Sequence, residues 1–189
     1  LFQMMHGSFG TLGILSKLKF KLVPAKPYVH VRSEKYATLT EYLAAIERHA
    51  KNIDVDFVDG IIHSPVEYVL CCGRFTDRAP YTTKYDWWRV YYTSTRERSE
   101  DYLTTSDYFF RYDHGVTQVH PKSLVGRLLL GKLFGSTQLL WLAGKLNKFL
   151  PSKSPDVILD VFLPLSRVPA FLSWHQRELA HFPLWVVPY

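Results

Sequence analysis

The chain has 189 residues, 47% of them hydrophobic, enough to bury one sizeable core or two small ones, which excludes an intrinsically disordered chain. A formal charge of +6 and a pI near 9.3 would suit nucleic acid, but the basic residues are scattered among carboxylates, so no nucleic-acid partner is expected. Cys71 and Cys72 are adjacent and disfavour a mutual bond, which excludes a disulfide framework and points to a reducing, cytoplasmic compartment.

No apolar run reaches the roughly 18 residues of a membrane span. The eight histidines form no HExxH and the cysteines no CxxC, so spacing gives no reason to expect a metal site. The chain opens on Leu1, and a strand-like pattern starts within a dozen residues, so further sequence upstream is expected.

In chain order, the first feature is His6-Gly7-Ser8-Phe9-Gly10-Thr11-Leu12-Gly13-Ile14, with glycines every three residues. It is neither the G-x-G-x-x-G of a Rossmann turn nor a P-loop, and by itself it reads as a tight turn feeding a strand. Residues 12–22 then alternate, with Leu18, Phe20 and Leu22 on one face and Lys17, Lys19 and Lys21 on the other, the two-residue period of a half-buried strand. Pro24 and Pro27 close it and mark a boundary.

A strand is predicted over residues 28–36, a helix capped by Thr40 and carrying Tyr42, Leu43, Ile46 and Ala50, and strands over 55–62 and 66–72. Residues 87–114 are dense in aromatics, the composition of a core or of a pocket for a large apolar ligand. Residues 123–150 are apolar on one side and basic on the other, with glycines that suggest two short helices. Such helices pack on their own domain or make a peripheral membrane contact, the basis of an alternative reading as a non-enzymatic docking module. A strand over 156–163, a helix capped by Ser166 and an extended segment over 184–187 complete the pattern. Strand–helix–strand thus occurs twice. The expected fold is α+β, a largely antiparallel sheet with helices on one face and two βαβ units, as in a ferredoxin-like domain.

The segment from His6 to Leu15, followed by Lys19-Phe20-Lys21-Leu22-Val23-Pro24, resembles the closing motif of the FAD-binding domain in the vanillyl-alcohol oxidase superfamily of FAD-linked (PCMH-type) oxidoreductases. Val58-Asp59-Gly60-Ile61-Ile62, the run from Asp107 to Asp113, and Pro183-Leu184-Trp185-Val186-Val187-Pro188-Tyr189 are similar in order and spacing to the Delta-24 sterol reductase branch. This resemblance implies that residues 1–26 end an FAD-binding domain and that 27–189 form most of a substrate-binding cap, with the rest of the FAD-binding lobe as a missing N-terminal partner. It implies FAD as cofactor, contacted by Gly7, Ser8, Gly10, Thr11, Gly13 and Ile14, where side chains would block the approach of the backbone. It further implies a bulky hydrophobic, sterol-like or other isoprenoid substrate, with hydride transfer through flavin N5. Flavin reductions and oxidations need a proton donor or acceptor, and Tyr112, His114, Arg111 and Asp113 are the catalytic candidates, set against a surface turn in which Arg111 pairs with Asp113.

Overall fold

The computed structural model describes residues 11–14, 16–52, 54–86, 89–113 and 160–188. Five strands form one sheet: β1 (Tyr28–Tyr36), β2 (Phe57–Ser64), β3 (Glu67–Thr76), β4 (Glu100–Thr104) and β5 (Leu184–Val186), in the order β4-β1-β3-β2-β5. Every pairing is antiparallel. The helices are α1 (Leu39–Ala50), α2 (Tyr91–Ser94), α3 (Thr105–Phe109) and α4 (Val168–Glu178), the last preceded by a 3-10 turn at Leu165–Arg167. Regular structure among the described residues therefore begins at Tyr28, immediately after Pro27.

The central strand explains the architecture. Val69-Leu70-Cys71-Cys72 is an unbroken buried run, the signature of a strand covered on both faces rather than one. Successive residues face opposite ways, so Val69 and Cys71 join Val29, Val31 and Leu103 in one apolar cluster, while Tyr68, Leu70 and Cys72 join Tyr42, Ala45, Ile46 and Ile62 in the other. The two longer helices lie on the second face: α1 directly, and α4 through Leu172. The first face is closed by the aromatic segment, with Tyr85, Tyr91 and Tyr108 fully packed in. Buried Asp101 secures that segment, accepting from Thr83 Oγ1 at 2.6 Å and from the Tyr85 hydroxyl.

Local chemistry sets the element boundaries, and several differ from the sequence reading. The cap of α1 is Thr38, not Thr40: its backbone is extended and its Oγ1 accepts the Glu41 N–H at 3.3 Å, whereas Thr40 is already inside the first turn. Ser166 falls within the 3-10 turn, and α4 starts without a side-chain cap, on the fixed φ of Pro169. Residues 160–163 form no strand, and the edge of β2 is taken by β5; residues 156–159, the rest of the expected strand, lie outside the described residues. In the first unit, β3 is inserted between β1 and β2. Residues 16–27 also form no strand; they have no ladder partner among the described residues, and Phe20 and Leu22 are 72% and 79% exposed. The aromatic stretch conceals β4 and α3, which the sequence reading did not separate.

Candidate functional site

Strand β2 places Asp59 opposite Cys71, on the face that the aromatic segment covers, so a carboxylate is carried into an apolar cluster. The group that neutralises it arrives from α3. Thr104 caps this helix, accepting the Asp107 N–H at 3.1 Å and donating to its carboxylate at 2.6 Å, which fixes the turn that buries Tyr108 and delivers Arg111 and Tyr112. Arg111 Nη2 donates to Asp59 Oδ1 at 2.9 Å, and Nη1 to the Tyr108 carbonyl at 2.8 Å. The side chains of this pair are only 9% and 6% exposed. Its guanidinium lies 3.9, 4.7 and 5.1 Å from the ring centroids of Tyr108, Tyr112 and Tyr91.

Asp59 Oδ2 accepts two further hydrogen bonds, from the Tyr112 hydroxyl at 2.6 Å and from Trp185 Nε1 at 3.3 Å. Trp185 stands on β5 opposite Ile61, and its ring centroid is 5.1 Å from that of Tyr112. Burial opposes the charge of Arg111, but the Asp59 carboxylate and the surrounding rings outweigh it and raise its pKa further. Burial, then the adjacent carboxylate, pushes the Tyr112 phenol well above its ordinary value, so at neutral pH it is a protonated donor.

Of the catalytic candidates, Arg111 and Tyr112 come together on one carboxylate. Asp113 is half-buried, with its backbone N–H on the Phe110 carbonyl at 2.9 Å, and Arg111 is committed to Asp59 from a distant strand. His114 lies outside the described residues. Asp59, Tyr91 and Trp185 were not singled out as site residues. The signal was present in Val58-Asp59-Gly60-Ile61-Ile62, where a carboxylate interrupts a strand otherwise buried on both faces, since such a group requires a partner.

Among the cofactor candidates, Gly7, Ser8 and Gly10 lie outside the described residues. Gly13 adopts φ 154°, a backbone that residues with a Cβ rarely take, and Ile14 is 93% exposed. In the described part, Thr11, Leu12 and Ile14 are exposed and Gly13 is half-buried, an accessible segment that fits a group approaching it from solvent. An apolar cavity of about 380 Å³ lies between residues 160–163, α4 and β5, lined by Val161, Phe162, Phe171, Leu172, Leu184 and Trp185 among others. Trp185 joins this cavity to the Asp59 cluster. No described helix is long and apolar enough to cross a membrane.

No protein-family model matches the chain. No solved structure matches it either. Curated relatives do. The chain is 24% identical over 208 residues to the Delta(24)-sterol reductase of Homo sapiens, 24% over 224 residues to that of Arabidopsis thaliana, and 24% over 222 residues to the Delta(24)-sterol reductase homolog of Caenorhabditis elegans. Each comparison takes in all of this chain and 38–40% of the relative's length. Along its whole length, then, the chain is a homologue of the Delta(24)-sterol reductases, the branch that its motifs at 58–62, 107–113 and 183–189 resemble, and it spans about two fifths of their length.

Proposed function

We propose that this chain is the substrate-binding cap portion of an FAD-dependent oxidoreductase that reduces a bulky hydrophobic, sterol-like substrate. The observation that carries this reading is the similarity to Delta(24)-sterol reductases over every part of the chain, the glycine segment and the Trp185 strand included. The apolar cavity beside Trp185 and the accessible segment at Thr11 to Ile14 support it.

FAD supplies hydride transfer through flavin N5 when bound; Thr11, Gly13 and Ile14, with Gly7, Ser8 and Gly10, would hold it through main-chain contacts. The chain's own residues orient the substrate and hold a proton. Tyr112 keeps its proton on the phenol oxygen, directed at Asp59 Oδ2, and Trp185 and Tyr112 form the wall of the site. Arg111 acts through Asp59 as a positioning residue, because its Nη2 donates to that carboxylate and its Nη1 to the Tyr108 carbonyl, while its Nε is buried without a partner among the described residues. The exposed apolar side chains of residues 12–23 would meet the remaining FAD-binding lobe.

The test uses the complete protein, reduced anaerobically by light. Addition of a sterol with a side-chain double bond reoxidises the flavin and yields the saturated sterol; a spectrum unchanged by such sterols contradicts the proposed substrate class. The non-enzymatic docking alternative rests on residues 123–150, outside the described residues, and no structural observation favours it.

A further inference from the structure

On the sheet face opposite the aromatic site, three side chains able to ligate a metal converge from three elements. Glu34 is on β1, Cys72 on β3 and His49 in the last turn of α1. The register pairs Glu34 with Leu70 and Arg32 with Cys72, which makes Glu34 and Cys72 diagonal neighbours beneath α1. Each offers one ligand atom, and the three atoms all lie within 4.8 Å of one another. His49 Nε2 is 3.1 Å from Glu34 Oε2, the same oxygen that accepts the Tyr36 hydroxyl at 2.6 Å. The second ring nitrogen, His49 Nδ1, is buried with no hydrogen-bond partner among the described residues.

We infer that Glu34, His49 and Cys72 form a zinc site with three protein ligands and a fourth position open to water. One thiol, one imidazole and one carboxylate are a borderline-soft donor set, suited to zinc and unsuited to magnesium or calcium, which take oxygen ligands. Ligand atoms at about 2.0–2.3 Å from a common zinc stand under about 4 Å apart, so the observed cluster closes on an ion by about 1 Å or less. Tyr36 supplies the outer hydrogen bond that fixes the carboxylate.

Two arginines flank the cluster. Arg48 on α1 interacts with Glu34, and Arg32 on β1 with Cys72; both are exposed. Zinc(II) on one thiolate and one carboxylate is neutral overall, so filling the site takes it from the −1 of ionised Glu34 to zero, and these arginines then face a neutral centre rather than a second cation. Binding forms a Zn–S bond and releases the Cys72 thiol proton to solvent, one proton per ion. The site would tie the C-terminal turn of α1 to β1 and β3. The absence of a sequence motif follows from this construction, because positions 34, 49 and 72 meet only through the sheet register.

The test titrates the untagged full chain, freed of metal by a chelator, with cobalt(II). The expected result is one equivalent bound with an intense thiolate-to-cobalt charge-transfer band, displaced by zinc and accompanied by a higher unfolding temperature. Cys72→Ser should abolish the band, Glu34→Gln and His49→Gln should weaken binding at least about tenfold, and Cys71→Ala should retain the band. If Cys72→Ser does not fold, alkylation mapping of the wild-type chain replaces it, with zinc protecting Cys72. No charge-transfer band, binding indifferent to the Glu34 and His49 changes, or alkylation of Cys72 unaffected by zinc overturns the assignment.

Discussion

At the scale of single residues, the Arg111–Asp59 pair dominates, because both ions are withdrawn from water and each is the other's compensation. Arg111→Met leaves a buried carboxylate with only neutral donors, and the expected cost is about 3–5 kcal/mol of unfolding free energy, read by denaturant titration. A loss within about 0.5 kcal/mol would show that Asp59 is solvated. Tyr112→Phe removes one hydrogen bond to that carboxylate, a cost of about 1–3 kcal/mol. If Tyr112 also supplies the proton, turnover of the complete enzyme falls by about 10²–10⁴ while substrate KM stays near its wild-type value. The buried tyrosines add a pH dependence. Tyr42, Tyr85, Tyr91, Tyr108 and Tyr112 are all raised above the ordinary 10.0, chiefly by burial. Above pH 10.0 the unfolded chain's phenols therefore hold fewer protons than the folded ones, so the stability they contribute is constant below that pH and declines above it. Denaturation midpoints that stay level into that alkaline range would contradict the burial of these phenols.

At the scale of elements, β2 and α1 meet at a contact with no slack. A Cβ on Gly60 would stand 2.0 Å from the Tyr42 hydroxyl and 3.2 Å from the Val69 carbonyl oxygen, so glycine is what admits the tyrosine. Gly60→Ala is expected to cost about 1–3 kcal/mol, and Tyr42→Phe, which removes a buried hydroxyl without a partner among the described residues, should recover part of it in the double variant. Purely additive losses would mean the two do not touch. Thr38→Ala should cost about 1 kcal/mol, against a few tenths for Thr40→Ala, since only the former accepts from the helix start. Strand and helix periods made β1, α1, β2, β3 and α4 legible in the sequence, because each buries one or both faces against residues near in the fold. Residues 12–22 carried an equally clear period, but the described residues among them form no strand, as a period specifies a face without supplying the neighbour that covers it. β4 and α3 were hidden among aromatics, whose even distribution carries neither period.

At the scale of the whole molecule, the sheet has one face under α1 and α4 and the other under the aromatic segment, while the described residues before Tyr28 are mostly exposed, Ile14 and Leu22 most of all among the large hydrophobic ones. Arg111 and Tyr112 were legible as a local cluster, but Asp59 and Trp185 were not, because the carboxylate they share is 52 positions from Arg111 and 126 from the indole. Only the sheet register brings these separations together. The same register sets the strand that carries Asp59 beside β5, at the far end of the described chain. The central claim is that the open segment lies against a flavin in the complete protein. The complete coding region, expressed and purified, should give a yellow protein that releases one FAD per chain on denaturation and loses it on Gly13→Val, a change that the positive φ disfavours and that the proposed approach of the cofactor to the main chain would block. A folded, colourless product that neither copurifies with FAD nor takes it up would contradict the account.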